Sequence, residues 1–232
     1  MLREATVRFL HRRDAGRRLA AELKARSIAD PVVLALPRGG VPVGYEVATA
    51  LDAPLDVLLV RKLGAPGHEE FGIGAVVDGA QPQMVLNEEA IEALRVSPAY
   101  IAEERDRQLA EIERRRRMYC GDGSAVSIEG RTAIVVDDGV ATGGTVLVVL
   151  RALHSVAPER TVLAVPVAPP DTLARLAAEV DEVICLATPQ EFRAVGVYYS
   201  DFTQTSDEEV IELLAQRRAA VAAKCNEYER EL

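Results

Sequence analysis

Asp137 and Asp138 stand side by side between an apolar run, Ala133–Val136, and a flexible stretch reading Gly139-Val140-Ala141-Thr142-Gly143-Gly144-Thr145. The apolar run has the length and texture of a short buried strand, and a helical pattern starts at Val146. In an open α/β sheet, ligands bind where the carboxyl end of a strand meets a helix N-terminus. Free N–H groups and the positive end of the helix dipole make such a place an anion site. Gly139, Gly143 and Gly144 lack a Cβ and let the backbone come close to a ligand, while Thr142 and Thr145 add hydroxyl donors. Two carboxylates would repel a bare anion, so the ligand must also bring hydroxyls or a cation for them to hold. A sugar phosphate does both. Without a ligand, the same stretch is a glycine-rich strand-to-helix turn with Thr142 as the N-cap. The coincidence of acid pair, glycine pair and flanking elements favours the binding site.

Two further strand ends carry cations. Pro31–Leu36 is a continuous apolar run, the pattern of a parallel strand covered on both faces. It leads into Pro37-Arg38-Gly39-Gly40 and then a helix from Val43 to about Leu51. Arg38 offers a guanidinium, and Gly39 and Gly40 their backbone amides, although R-G-G alone is as readily a plain turn. Leu55–Val60 reads as a third strand, with Arg61-Lys62 at its carboxyl end on the same ligand edge. Gly64–Glu70 then reads as a loop rich in structure breakers, before a strand over Phe71–Val77. His68, Glu69 and Glu70 are candidates for proton transfer in that loop, but such residues more often solvate a loop tip.

The stretch AIVVDDGVATGGT resembles the phosphoribosyl pyrophosphate signature of the type I phosphoribosyltransferases. One departure is Gly139, where that family usually has an aliphatic residue. The resemblance extends over nearly the whole chain to uncharacterised bacterial phosphoribosyltransferases of this length that carry LPRGG, VRK-x-GAP and VDDG-x-ATG. It implies a Rossmann-like α/β core with a parallel sheet, helices on both faces and a small hood. It implies phosphoribosyl pyrophosphate as donor and Mg²⁺ as cofactor, bound mainly through the substrate, with no direct protein ligand to the metal. By the same resemblance Asp137, Asp138 and Ala141–Thr145 hold the ribose 5-phosphate, with Asp137 and Asp138 taking the ribose hydroxyls. Arg38, Gly39, Gly40, Arg61 and Lys62 hold pyrophosphate, and Asp137, Asp138, Arg38 and Lys62 are the catalytic set. In the family the pyrophosphate loop can contain a non-proline cis peptide, and a lid after the third strand covers the reacting carbon.

The acceptor is less defined. The hypoxanthine–guanine enzymes have an Asp, their proposed general base, where this chain has Ala141, and a Lys where it reads Pro166-Val167-Ala168. Both absences count against a 6-oxopurine. The A-T-G-G-T wording and Arg61-Lys62-Leu63-Gly64 look more like the adenine enzymes. Residues 187–206, where Phe192, Tyr198, Tyr199 and Phe202 cluster, correspond to the base-holding hood. From the hypoxanthine–guanine hood the resemblance carries over Phe192 as a stacking aromatic and Asp201 as a nearby acid. Aromatics packing a cap on the sheet would leave the same pattern.

The remaining elements must position these residues. Asp14 reads as the N-cap of a helix to about Arg26. Met84–Leu86 reads as a short edge strand, and Asn87 caps a short helix. Ser97-Pro98 opens a long, sparsely apolar helix to about Tyr119 whose basic end, Arg114–Arg117, suits a helix C-terminus. Arg160–Val165 and Glu182–Leu186 are strands with a helix between them. Ser206-Asp207-Glu208-Glu209 opens a final helix to about residue 224. Strands alternating with helices over 232 residues read as one domain with a helical insertion over about 87–119, a hood over about 187–206 and a terminal helix.

Composition narrows the function classes. The net charge of −9 argues against a general nucleic-acid binder, which needs a basic face. The three cysteines, Cys120, Cys185 and Cys225, show no metal or disulfide spacing, so a reducing cytoplasm is the expected compartment. The first residues contain no uninterrupted apolar stretch of a leader, and no run approaches a membrane span. The expected partners are therefore phosphoribosyl pyrophosphate and a small-molecule acceptor, with no nucleic acid and no membrane; a homodimer is compatible. There is no G-x-x-x-x-G-K-[ST], no G-x-G-x-x-G after a strand and no G-x-S-x-G, which disfavours kinase, dinucleotide and hydrolase readings. The main rival is a non-catalytic regulatory protein that senses phosphoribosyl pyrophosphate.

Overall fold

The computed structural model describes residues 8–79, 82–121 and 123–230, except for the side chains of residues 69–70 and 225–230. Residues 1–7 and the side chains of Glu69, Glu70 and Cys225, all considered above, lie outside the described residues. Five parallel strands form the main sheet: β1 (Pro31–Ala35), β2 (Leu55–Val57), β6 (Thr132–Val136), β7 (Arg160–Val167) and β8 (Glu182–Ala187). Their order across it is β2-β1-β6-β7-β8. A separate antiparallel sheet holds β3 (Val60–Ala65), β4 (His68–Val77) and β5 (Gln83–Leu86).

The continuous apolar runs make the main sheet two-sided, because alternate residues of a strand face opposite ways. Val33 and Ala35 of β1, with Ile134 and Val136 of β6, pack on the face covered by α1 (Arg12–Lys24) and α2 (Gly40–Leu51). Val32, Leu34, Ala133 and Val135 pack on the other, covered by α5 (Gly144–His154) and α6 (Pro170–Leu176). The remaining helices are α3 (Glu88–Leu94), α4 (Pro98–Cys120) and α7 (Asp207–Arg230). No helix among the described residues is long and apolar enough to cross a membrane.

Several boundaries differ from the sequence reading. The run Leu55–Val60 is not one strand: β2 ends at Val57, the Leu58 amide makes a last bond to the Ala35 carbonyl at 3.0 Å, and the chain leaves for the second sheet at Val60. Leu58 and Leu59 are buried against opposite core clusters, so hydrophobicity alone does not mark the change of sheet. Consequently Arg61 and Lys62 lie inside β3 and not at the end of a parallel strand. The expected loop at 64–70 is mostly hairpin, with its turn at Pro66-Gly67. Helix α1 starts two residues before Asp14. Its N-cap is His11, whose ring nitrogen accepts from the Asp14 amide, while the Asp14 carboxylate accepts from the Leu10 amide. Helix α2 begins at Gly40, directly inside the R-G-G turn.

Helix α4 explains its own sparse apolar pattern. It turns Glu104 and Gln108 inward beside Ile112, Tyr119 and Cys120. Three arginines of its basic end pair with Glu111 and Glu113 of the same helix. Arg116 instead points inward and bridges Asp56 of β2 and Asp78, which follows β4, at 2.7 Å each. Both carboxylates are almost fully buried. Burial pushes the Asp78 carboxyl up, against the Arg116 charge, and the two acids push the Arg116 guanidinium up. Removing one partner of such a cluster strands buried charge, which typically costs about 3–5 kcal/mol. Arg116→Met is therefore expected to lower unfolding stability by roughly that amount in urea titration, whereas Arg117→Met, on an exposed pair, should leave the midpoint nearly unchanged.

Candidate functional site

The strand order reverses between β1 and β6, since the chain builds outward from β1 to β2 on one side and from β6 through β7 to β8 on the other. Such a switch point opens a crevice at the carboxyl ends of the two strands. The turn after β1 is Pro37-Arg38-Gly39-Gly40, with a cis peptide between Pro37 and Arg38. The turn after β6 is the acid pair and glycine loop. The two turns touch. A Cβ on Gly39 would lie 2.1 Å from the Asp138 carboxylate oxygen, and one on Gly40 would lie 2.8 Å from the Val136 carbonyl. Both glycines are needed for this approach.

Asp137 and Asp138 share a half-buried position. The Asp137 carboxylate accepts from the Asp138 amide at 2.8 Å. The Asp138 carboxylate accepts from Arg12 Nε at 2.7 Å, and both side chains of that ion pair are largely buried. Arg12 also donates to the Thr203 carbonyl at 2.7 Å and lies over the Phe202 ring at 3.9 Å. Tyr199 donates its hydroxyl to the Asp138 carbonyl at 2.5 Å. Burial, then the neighbouring Asp138 charge, push the Asp137 carboxyl well above the usual range. Burial pushes Asp138 up as well, opposed by Arg12.

In the loop from Gly139 into α5, the Val140 amide bonds inward to the Val167 carbonyl at 2.9 Å. Among the described residues, no backbone carbonyl accepts from Ala141, Thr142 or Gly143, and the first amides of any helix are free by construction. The loop is held from behind by α6: Thr172 donates to the Ala141 carbonyl at 2.8 Å, and Arg175 donates to the Thr142 carbonyl. Gly143, at φ 73°, is the α5 N-cap, and Ala141, Thr142, Gly144 and Thr145 are exposed. The expected Thr142 cap thus falls one residue early. At Gly139, a Cβ would lie 2.6 Å from Val195 and 2.9 Å from Val167. The space an aliphatic residue would take is filled by the segment after β8.

The cations distribute unevenly. Arg38 is partly exposed and lies 3.7 Å from the Asp207 carboxylate at the start of α7. Arg61 is turned toward α4, where Nε donates to Gln108 at 3.0 Å. Lys62, its neighbour on the strand, is exposed and points to the opposite face, as strand alternation requires. His68 is exposed at the hairpin. In the segment at 187–206, Phe192 stacks on Tyr198 at 5.6 Å, and Asp201 accepts from the Thr203 hydroxyl and amide in a local turn that lowers its pKa. This segment is tied to the chain's beginning: Phe9 and Ser200 bond through the backbone, and Phe9 packs on Tyr199 at 5.4 Å.

The phosphoribosyl transferase domain model matches residues 9–202, most of the chain. The protein belongs to the phosphoribosyl transferase family. A Mycobacterium tuberculosis protein that carries the phosphoribosyl transferase name provisionally is 45% identical over 206 residues. The match covers 89% of this chain but 46% of that protein, so this chain spans about half the length of its curated relative. The crystal structure of TT1426 from Thermus thermophilus aligns with a TM-score of 0.75 at 43% identity, over 90% of this chain and 98% of that one. The fold brings the two turns that carry the family resemblance into contact at the switch point. Sequence reading missed Arg12, Thr172 and Arg175 and placed Tyr199 only in the hood's aromatic cluster; each reaches the site from another element. The available signal was His11-Arg12-Arg13 at a helix start, which by itself reads as solvated charge.

The acid pair is a stability liability that can be measured. Asp137 has a folded pKa above its unfolded value, so the folded state binds the extra proton between the two, and stability falls as pH rises through that window. Asp137→Asn keeps an acceptor for the Asp138 amide and removes the desolvated charge. It should melt at a higher temperature than the parent protein at pH 7, with the difference shrinking toward pH 4; calorimetry at both pH values decides.

Proposed function

We propose that the protein transfers the 5-phosphoribosyl group from α-D-5-phosphoribosyl 1-pyrophosphate to a nitrogen acceptor, a nucleobase, releasing pyrophosphate. The observation that carries this reading is the direct contact of the Arg38-Gly39-Gly40 turn with Asp138 across the switch point. It brings to one crevice loop amides without a backbone acceptor for a phosphate, carboxylates for a ribose diol and a guanidinium for a diphosphate.

In this reading the Ala141–Thr145 amides and the Thr142 and Thr145 hydroxyls bind the 5-phosphate at the start of α5. Asp137 and Asp138 accept hydrogen bonds from the ribose hydroxyls and lie near the positive charge that develops as the bond from C1 to the pyrophosphate oxygen breaks. That electron pair leaves with pyrophosphate, the acceptor nitrogen bonds to C1 with inversion, and its proton passes to solvent or the departing group. Arg38 and the Gly39 and Gly40 amides stabilise the departing charge, with Lys62 reaching in from β3; catalysis is mainly electrostatic and positional. Arg61, held by Gln108, is better suited to placing β3. The β3–β4 hairpin is the element available to cover the reacting carbon and keep water from the ribosyl cation. With Asp138 engaged by Arg12, the donor set suits a hydrated cation carried on substrate oxygens better than a protein-made cage. Mg²⁺, which keeps several waters, would supply charge neutralisation of the diphosphate.

Ala141 disfavours a 6-oxopurine acceptor. Incubation with Mg²⁺, phosphoribosyl pyrophosphate and a panel of purines, pyrimidines and small amines is expected to release pyrophosphate with at least one acceptor. Asp137→Asn combined with Asp138→Asn should abolish that release in a folded protein. Gly39→Ala should displace the Asp138 carboxylate and lose donor binding in a titration while leaving the far-ultraviolet circular dichroism unchanged. Tight donor binding with no release across the panel would instead favour the sensor function.

A further inference from the structure

The Arg12 side chain touches both the acid pair and the aromatic segment after β8. It comes from the first turn of α1, far from either in sequence. Its Nε bonds Asp138, its Nη1 bonds the Thr203 carbonyl, and its guanidinium carbon lies over the Phe202 ring. The aromatic contact continues from Phe202 to Tyr199 at 5.0 Å, and Tyr199 returns to the Asp138 carbonyl. Asp138 is thereby gripped at its side chain and its backbone by one closed set of contacts. A guanidinium in two hydrogen bonds and a ring contact is fixed in direction. Removing it would leave two adjacent desolvated carboxylates without this cation.

We propose that Arg12 is a positioning residue for the donor site, holding the Asp138 carboxylate in place and aimed at the ribose hydroxyls through its anchorage on Phe202 and Thr203. The proposal rests on the donor assignment made above. The groups facing Asp138 are Asp137 beside it, Arg12 from α1 and the Tyr199 hydroxyl from the segment after β8, with Asp14 facing Tyr199. Arg12 supplies the positive charge in this set. Its loss should therefore move the pH at which the acid pair ionises upward.

The test is calorimetric titration of the full chain with phosphoribosyl pyrophosphate and Mg²⁺ from pH 5 to 9, on the parent protein, Arg12→Met, Arg12→Lys, Asp138→Asn and the Arg12→Met/Asp138→Asn pair. Arg12→Met is expected to weaken donor binding at pH 7 by roughly ten- to hundred-fold, the size of one charge-assisted bond. Its binding should recover at a higher pH than in the parent, and Arg12→Lys should restore most of the loss. In the Asp138→Asn background Arg12→Met should cost little more, because the two act as one unit. Parent-like binding by Arg12→Met overturns the proposal. So does an equal loss in both backgrounds with an unshifted pH profile, which would mark Arg12 as a structural residue or a direct ligand of the donor. A parent protein that does not bind the donor fails the donor assignment itself, and this inference falls with it.

Discussion

Two adjacent carboxylates at the half-buried end of a strand repel each other and lose hydration, so everything packed around Asp137 and Asp138 has to answer that cost. Two contacts act on the charges: the Arg12 guanidinium pairs with Asp138, and the Asp138 amide turns back onto Asp137. The Tyr199 hydroxyl on the Asp138 carbonyl and the Gly39 turn packed against the carboxylate hold the pair in place. Burial first, and the Asp138 charge second, still push the Asp137 carboxyl well above its usual range.

That local constraint ties together elements distant in sequence. The first turn of α1 and the segment after β8 meet over the acid pair, and Phe9 is stitched to Tyr198 and Ser200 by backbone bonds. From behind, α6 holds the glycine loop through Thr172 and Arg175, which occupy the Ala141 and Thr142 carbonyls. The glycine loop is therefore shaped by the helix that follows the next strand, and not by its own residues alone. The same segment that anchors Arg12 also fills the space over Gly139 through Val195.

A second buried charge cluster performs a structural task of the same kind. Arg116 joins Asp56 at β2 to Asp78 at the end of β4, spanning the point where the chain leaves one sheet for the other. It sets the small antiparallel sheet against the main one and so places the β3–β4 hairpin that carries Lys62. In sequence Arg116 is one of four consecutive arginines, three of which pair locally on the surface of α4. Its distinct role depends on the helix face it occupies and on two acids brought to that face by other elements.

The sequence by itself determined the main sheet's strands, through continuous apolar runs, and the two glycine turns that meet at the switch point, through glycines adjacent to charge at strand ends. These signals are local: a strand buried on both faces must be apolar throughout, and a backbone that approaches a ligand or a carboxylate must lack a Cβ. The helix starts at Ser97 and Ser206 were legible for the same reason, because a cap bonds its own first turn. Only the tertiary structure decided that Leu55–Val60 divides between two sheets, that Arg61 turns to Gln108 while Lys62 stays exposed, and that Phe192 stacks on Tyr198. It alone selected Arg12 from a run of basic residues. Those outcomes depend on which distant carboxylate, carbonyl or ring lies opposite a side chain, and long-range pairing of that kind leaves no spacing in the chain to read.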